Sequence, residues 1–222
     1  MRPIFYQAAL LLSAALVANC GGKKEAMPTD EEILNSPDGP VTQVVPDSTI
    51  YGLCGQGTSA TKLKFVSDNG KILNLDLTAA KAAGLVLGDI NVGDRLALVP
   101  NADSTRVERC VNITMLMGDW VHISAIDGSS EIGFRIKEGG IADGVEQTDI
   151  IYQTWRVFNN QLELHWQREG GSQNEEMGLY TMLYLSNDSL SFKDNEDVYE
   201  YTRPHPVEDM GIHAEDFGAL EF

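Results

Sequence analysis

The side chains in this chain that could act as nucleophiles or soft metal ligands are Cys20, Cys54 and Cys110, with His122, His165, His205 and His213. Their spacing argues against most of the chemistry such residues perform. Cys54-Gly55-Gln56-Gly57 is not a C-x-x-C, so neither thiol redox cycling nor copper capture is indicated. A zinc site needs about four convergent ligands, and no pair of histidines sits at ligand spacing. His122 shares a strand face with Trp120 and reads as an interior, hydrogen-bonded histidine, whereas His165 alternates away from Trp166 and reads as outward. The sequence contains no G-x-S-x-G turn, no H-E-x-x-H and no glycine-rich phosphate loop. Without a nucleophile that can be paired with a base, the expectation is a protein that is not an enzyme and needs no cofactor and no metal.

Cys20 differs because of what precedes it. Arg2 is followed by an apolar run from Ile4 to Val17 and then by small side chains, which is the pattern of a secretory signal. The run is too short to cross a bilayer, which takes about 20 apolar residues. Leu16-Val17-Ala18-Asn19-Cys20 resembles a bacterial lipobox, with Asn19 where a smaller residue is commoner. That resemblance implies cleavage after residue 19 and acylation of Cys20. At about 0.8 kcal/mol per buried CH₂, two or more chains anchor a protein stably. Gly21 stands where an aspartate would retain an enteric lipoprotein in the inner membrane, so the implied address is the outer membrane of the cell envelope.

The formal net charge is −17, concentrated late in the chain: residues 111–222 carry 21 acids against 6 bases. Such a surface repels phosphate backbones, which excludes nucleic acid as a partner. In an oxidising compartment Cys54 and Cys110 are free to form a disulfide; in its absence they are two buried thiols. Residues 20–48 are polar and carry Pro28, Pro37, Pro40 and Pro46, as a lipidated flexible tether would.

From residue 49 the pattern is β. Leu73, Leu75 and Leu77 alternate with Asn74 and Asp76, and Asn69-Gly70 marks a hairpin of the type I′ kind. Strands at Tyr51–Cys54, Leu63–Val66, Ile72–Leu77, Arg95–Val99 and Arg106–Met115, with a short helix over 78–84, give the element order of a small five-stranded OB-like barrel over residues 49–114. Pairing of its first and last strands would bring Cys54 and Cys110 together. Residues 115–203 then read as eight short strands in a meander, the pattern of an antiparallel up-and-down barrel. On its fifth strand Leu162, Leu164 and Trp166 share one face, and on its fourth Ile151, Trp155 and Val157 do. Residues 204–222, opened by Pro204 and Pro206, form an acidic tail.

Three segments carry a resemblance. Gly118-Asp119-Trp120 resembles the G-x-W signature of lipocalins, Tyr152-Gln153-Thr154-Trp155 resembles the second tryptophan segment of the bacterial lipocalin-like lipoprotein domain, and Tyr199-Glu200-Tyr201-Thr202-Arg203 resembles that domain's last strand. The resemblance covers residues 115–203. It implies an all-β chain in which a small OB-like barrel precedes a lipocalin-like barrel. It further implies that Trp120 plugs the closed end and that Arg203 stacks on it. Trp155, Trp166 and Tyr180 are then candidates for a cavity wall, and the implied ligand is one small apolar or amphipathic molecule. An interior void no larger than a few waters would exclude that ligand. The alternative is a structural or sensor lipoprotein that binds other envelope proteins. The copper-stress lipoproteins of enteric bacteria pair similar modules, in the opposite order and with a C-x-x-C absent here.

Overall fold

The structure, a computed structural model, describes residues 45–146, 149–170 and 174–205. The signal segment, Cys20, the tether up to residue 44, and the tail beyond residue 205 with His213 lie outside the described residues.

The first sheet is built from β1 (Ile50–Cys54), β2 (Lys62–Ser67), β3 (Ile72–Asp76), β4 (Val86–Leu87), β5 (Arg95–Pro100) and β6 (Val107–Asn112), with helix α1 (Thr78–Ala82) after β3. Their order across the sheet is β3-β2-β1-β5-β6-β4. Burying one face of each short strand produces the period-two pattern: Leu63 and Phe65 of β2 and Leu75 of β3 are sealed, and their neighbours are not. β4 escapes a sequence reading because two residues carry no periodicity.

Three expectations for this sheet change: its strand pairing, the end of its last strand and its hairpin turn. The first and last strands do not pair. β5 lies between β1 and β6, and the sheet instead curls so that Asp76, at the end of β3, bridges in parallel to Arg106 beside β6. Cys54 and Cys110 are free thiols, both buried in the small sheet's core. The last strand stops at Asn112 and does not reach Met115. The Asn112 side chain accepts the Met115 N–H and so caps a helical turn, α2 (Ile113–Leu116). The Asn69-Gly70 hairpin forms, but only Gly70 has positive φ, at 81°. The Ser67 carbonyl accepts the Gly70 N–H and the Lys71 carbonyl accepts that of Ser67, a three-residue loop ending in a glycine bulge rather than a type I′ turn.

The second sheet comprises β7 (Gly118–Ile123), β8 (Glu131–Ile136), β9 (Ala142–Val145), β10 (Ile150–Phe158), β11 (Gln161–Arg168), β12 (Glu176–Leu185), β13 (Ser189–Lys193) and β14 (Val198–Thr202). All neighbours are antiparallel, in the order β10-β11-β12-β13-β14-β7-β8-β9. The two outer strands meet through a single bridge, Ile141 to Thr154, so the barrel is nearly closed. Asn159 and Asn160, both at positive φ, make the tight turn between β10 and β11.

The register shifts between Tyr152 and Thr154, and this bulge inverts the face on which β10 presents its side chains. Tyr152 therefore joins Trp155 and Val157 against the core, and Ile151 is exposed, which corrects the face read from simple alternation. A second shift, between Met182 and Tyr184, buries Met182 and Leu185 on one side and leaves Tyr184 outside.

One end of the barrel is sealed. Trp120, Ile136 and Leu162 pack there with Leu87, Ala97, Val111, Ile113 and Leu116 from the small sheet and its connection, in one continuous core. Tyr51 of β1 locks the contact: its hydroxyl donates to the Val157 carbonyl at 2.9 Å and accepts the Val157 N–H at 3.0 Å. Asn159 bonds Pro46, Ser48 and Thr49, so the chain is fixed to the barrel from Pro46 onward.

Candidate functional site

At the sealed end Trp120 is fully buried and donates its indole N–H to the Leu116 carbonyl at 2.8 Å. The guanidinium carbon of Arg203 lies 3.7 Å from the centre of that ring. The same guanidinium donates to the carbonyls of Met115 (2.7 Å), Asp119 (3.0 Å) and Asn187 (3.1 Å). It thereby ties α2, β7 and the β12–β13 turn to one another. Gly118 makes room for it: its φ is 103°, and a β-carbon there would stand 2.8 Å from an Arg203 nitrogen. The indole nitrogen of Trp120 and all three guanidinium nitrogens of Arg203 are thus hydrogen-bonded to backbone carbonyls.

The opposite end is open and holds a cavity of about 420 Å³. Its wall is aromatic. Tyr152 (β10) contacts Phe134 (β8) at 5.5 Å between ring centres, and Phe134 meets Tyr201 (β14) edge-on at 5.0 Å. Tyr201 stacks on Phe192 (β13), which packs against Tyr199 and Tyr180, and Tyr180 (β12) contacts Trp166 (β11). Such contacts between quadrupolar rings are worth about 0.5–1.5 kcal/mol each beyond area burial. Gly178 is what lets Tyr180 fold back across the wall, since a β-carbon there would lie 2.6 Å from the Tyr180 hydroxyl.

Burial pushes the Tyr152 phenol up to about 12 and raises those of Tyr180 and Tyr201 as well, with neighbouring phenols adding to the effect at Tyr152 and Tyr201 and the Asp194 carboxylate adding to it at Tyr180. All three stay protonated, and so remain donors, at any physiological pH. Tyr199 is held up to about 12 by its hydrogen bond to Asp194.

Of the candidates read from sequence, Trp166 and Tyr180 line this cavity. Trp155 does not. It is buried with its indole N–H on the Lys137 carbonyl, and it borders a separate cleft of about 760 Å³ between the small sheet and the barrel. That cleft is flanked by Arg95, paired with Asp68, and Arg156, paired with Glu163, so its cations are already neutralised. His122 is exposed near the rim, edge-on to Tyr201, and is not the interior histidine its alternation suggests. His165 lies on the outer face between Glu163 and Glu175, which raise its pKa. His205 pairs with Glu131. Among the described residues no group of three or more histidines, cysteines or carboxylates could hold a metal.

Sequence reasoning missed Phe134, Tyr152, Phe192, Tyr199 and Tyr201 as cavity residues. Tyr199 and Tyr201, two apart on one strand, were the available signal.

Comparison with known proteins places the similarity on this barrel. Residues 112–204 match a family described as lipocalin-like. No curated protein matches the chain. A lipocalin-like protein from Bacteroides thetaiotaomicron, known from its crystal structure, is similar at 23% identity over 40% of this chain and 97% of its own, with a TM-score of 0.38.

Proposed function

We propose that this protein is a lipid-anchored lipoprotein of the outer membrane whose lipocalin-like barrel holds one small apolar or amphipathic molecule and performs no covalent chemistry on it. The observation that carries the reading is the open-ended aromatic cavity. Its 420 Å³ is many times the ~30 Å³ that a water occupies in the liquid, and falls within the ~300–1,000 Å³ of small-molecule pockets. The anchor rests on the sequence around Cys20. Among the described residues no helix is long and apolar enough to cross a membrane. We also read the small sheet as an OB-like barrel, on the strength of the Asp76–Arg106 bridge that turns β3 toward β6.

Native mass spectrometry of the protein purified from its own envelope tests both parts. The expected species carries acyl chains on Cys20 and one retained small molecule. An intact amino-terminal methionine would refute the anchor. A protein that arrives empty, and that binds no apolar or amphipathic probe, would refute the cavity reading.

The alternative, docking of another envelope protein, is favoured by Met177, Leu179 and Leu183, which are exposed on the outer face of β12. A stoichiometric protein partner in pull-downs from detergent-solubilised membranes, lost on changing these residues to serine, would support it.

A further inference from the structure

The cavity's polar groups are unequal in what they still have to offer, and this limits what can occupy it. Asp194, the lining carboxylate, is already engaged: it accepts the Tyr199 hydroxyl at 2.9 Å and the backbone N–H groups of Glu196 and Asp197. Arg168, at the rim, donates to Glu176 at 3.0 Å. The hydroxyls of Tyr152, Tyr180 and Tyr201 make no hydrogen bond to any described residue, whereas the Trp166 indole N–H, which has no acceptor among the described residues, is sealed from solvent and does not open on the cavity. The unspent groups are therefore the three phenols, each able to donate one hydrogen bond and to accept. Each of these phenols, its pKa raised by burial, keeps its proton and can donate at every physiological pH.

From this geometry we infer that the barrel cavity is built for a small, flat molecule that bears carbonyl-type acceptor atoms and no negative charge. Flatness follows from the walls, which are ring faces and edges from six strands and favour offset stacking. The Asp194 carboxylate in the lining and the net charge of −17 disfavour an anion. The acceptor requirement follows from the unspent donors. A hydrocarbon filling the space would leave them unpaired and desolvated, and a polar site rejects an analogue that lacks the matching group.

This inference rests on the cavity reading above, and the experiment separates the two. The full mature chain is titrated by calorimetry with fluorenone, with the matched hydrocarbon fluorene and with palmitate. Fluorenone is expected to bind at least tenfold more tightly than fluorene. Tyr152→Phe, Tyr180→Phe and Tyr201→Phe keep each ring and remove a hydroxyl with no partner among the described residues. They should fold normally, and those whose phenol meets the carbonyl should lose about five- to tenfold in fluorenone affinity with fluorene unchanged. Equal binding of fluorenone and fluorene, tightest binding of palmitate, or a triple Phe variant with full fluorenone affinity would each overturn the inference while leaving a binding cavity in place. Failure of all three probes to bind would overturn the cavity reading with it.

Discussion

Replacing Arg203 by alanine tests the physical account of the sealed end. The guanidinium stacks on a fully buried Trp120 and donates to three carbonyls from separate segments. A desolvated cation–π contact is worth about 2 kcal/mol, and a hydrogen bond from a charged donor about 1.5–3 kcal/mol. These terms share one group and do not add, and the Asn187 bond is exposed. The expected loss is about 3–4 kcal/mol, a large part of the ~5–15 kcal/mol by which domains are stable. Arg203→Lys keeps the charge but not the planar fork, and should lose about 2 kcal/mol.

Equilibrium urea unfolding followed by tryptophan emission measures this. At a slope of about 2 kcal/mol per molar, the midpoint for Arg203→Ala should fall by roughly 1.5–2 M. Gly118 supplies an internal control. Gly118→Ala suffers twice, from the positive φ and from a β-carbon 2.8 Å from the guanidinium. Without Arg203 only the backbone strain remains. The two substitutions should therefore be less than additive by about 1 kcal/mol. A midpoint within 0.3 M of wild type for Arg203→Ala (about 0.6 kcal/mol at that slope), or strict additivity, would refute the account.

Three further outcomes follow from the structure. Asn112 is buried and caps α2 while its amide donates to the Asp89 carbonyl and, at 2.8 Å, to the Asp94 carboxylate, so Asn112→Ala should cost about 2–4 kcal/mol in the same unfolding assay. Glu163 and Glu175 raise the pKa of His165, so the stability it contributes is full below its unfolded value near 6.5 and is lost as pH rises through the folded one. His165→Gln should lower the melting temperature in acid and converge on wild type in alkali, and a gap constant with pH would contradict this. The Cys110 thiol is pushed up to about 12 by burial, with Cys54 nearby adding to it, and both are sealed. Neither should react with a disulfide reagent at pH 8 until denaturant is added, after which both should. A pair that stays silent in denaturant is a bridge.

Apart from β4, the strands of this protein were legible in its sequence, and their faces only partly so. Each strand of the second sheet announces itself by alternation and by its turn residues, and eight of them in a meander leave little choice of topology. The inversions at Tyr152–Thr154 and Met182–Tyr184 were not legible. A bulge adds one residue to one strand and leaves composition untouched, so Ile151 was read inward and Tyr152 passed over. α2 was hidden for a related reason. Ile113, Met115 and Leu116 suit a strand as well as a helix, and only the Asn112 cap turns the chain. The Trp120–Arg203 pair was reachable through a family resemblance, because it depends on two positions alone. The cavity was not, because an inward tyrosine reads the same in a packed core as in a hollow one. What hollows this barrel is an arrangement: Gly178 removes a side chain, Tyr180 folds across the gap, and the rings lean on one another around the wall.

The two ends of the barrel divide the work, and the division is itself testable. At the sealed end every strong donor is spent on the protein, so changes there should appear as stability. At the open end the hydroxyls of Tyr152, Tyr180 and Tyr201 are spent on nothing described, so removing them should leave the urea midpoint unchanged. Arg203→Ala should conversely leave the affinity of the surviving folded fraction intact, because Arg203 does not line the cavity. If each substitution moved both quantities together, the sealed and open ends would be one cooperative site, and the separation of scaffold from cavity drawn from these contacts would be wrong.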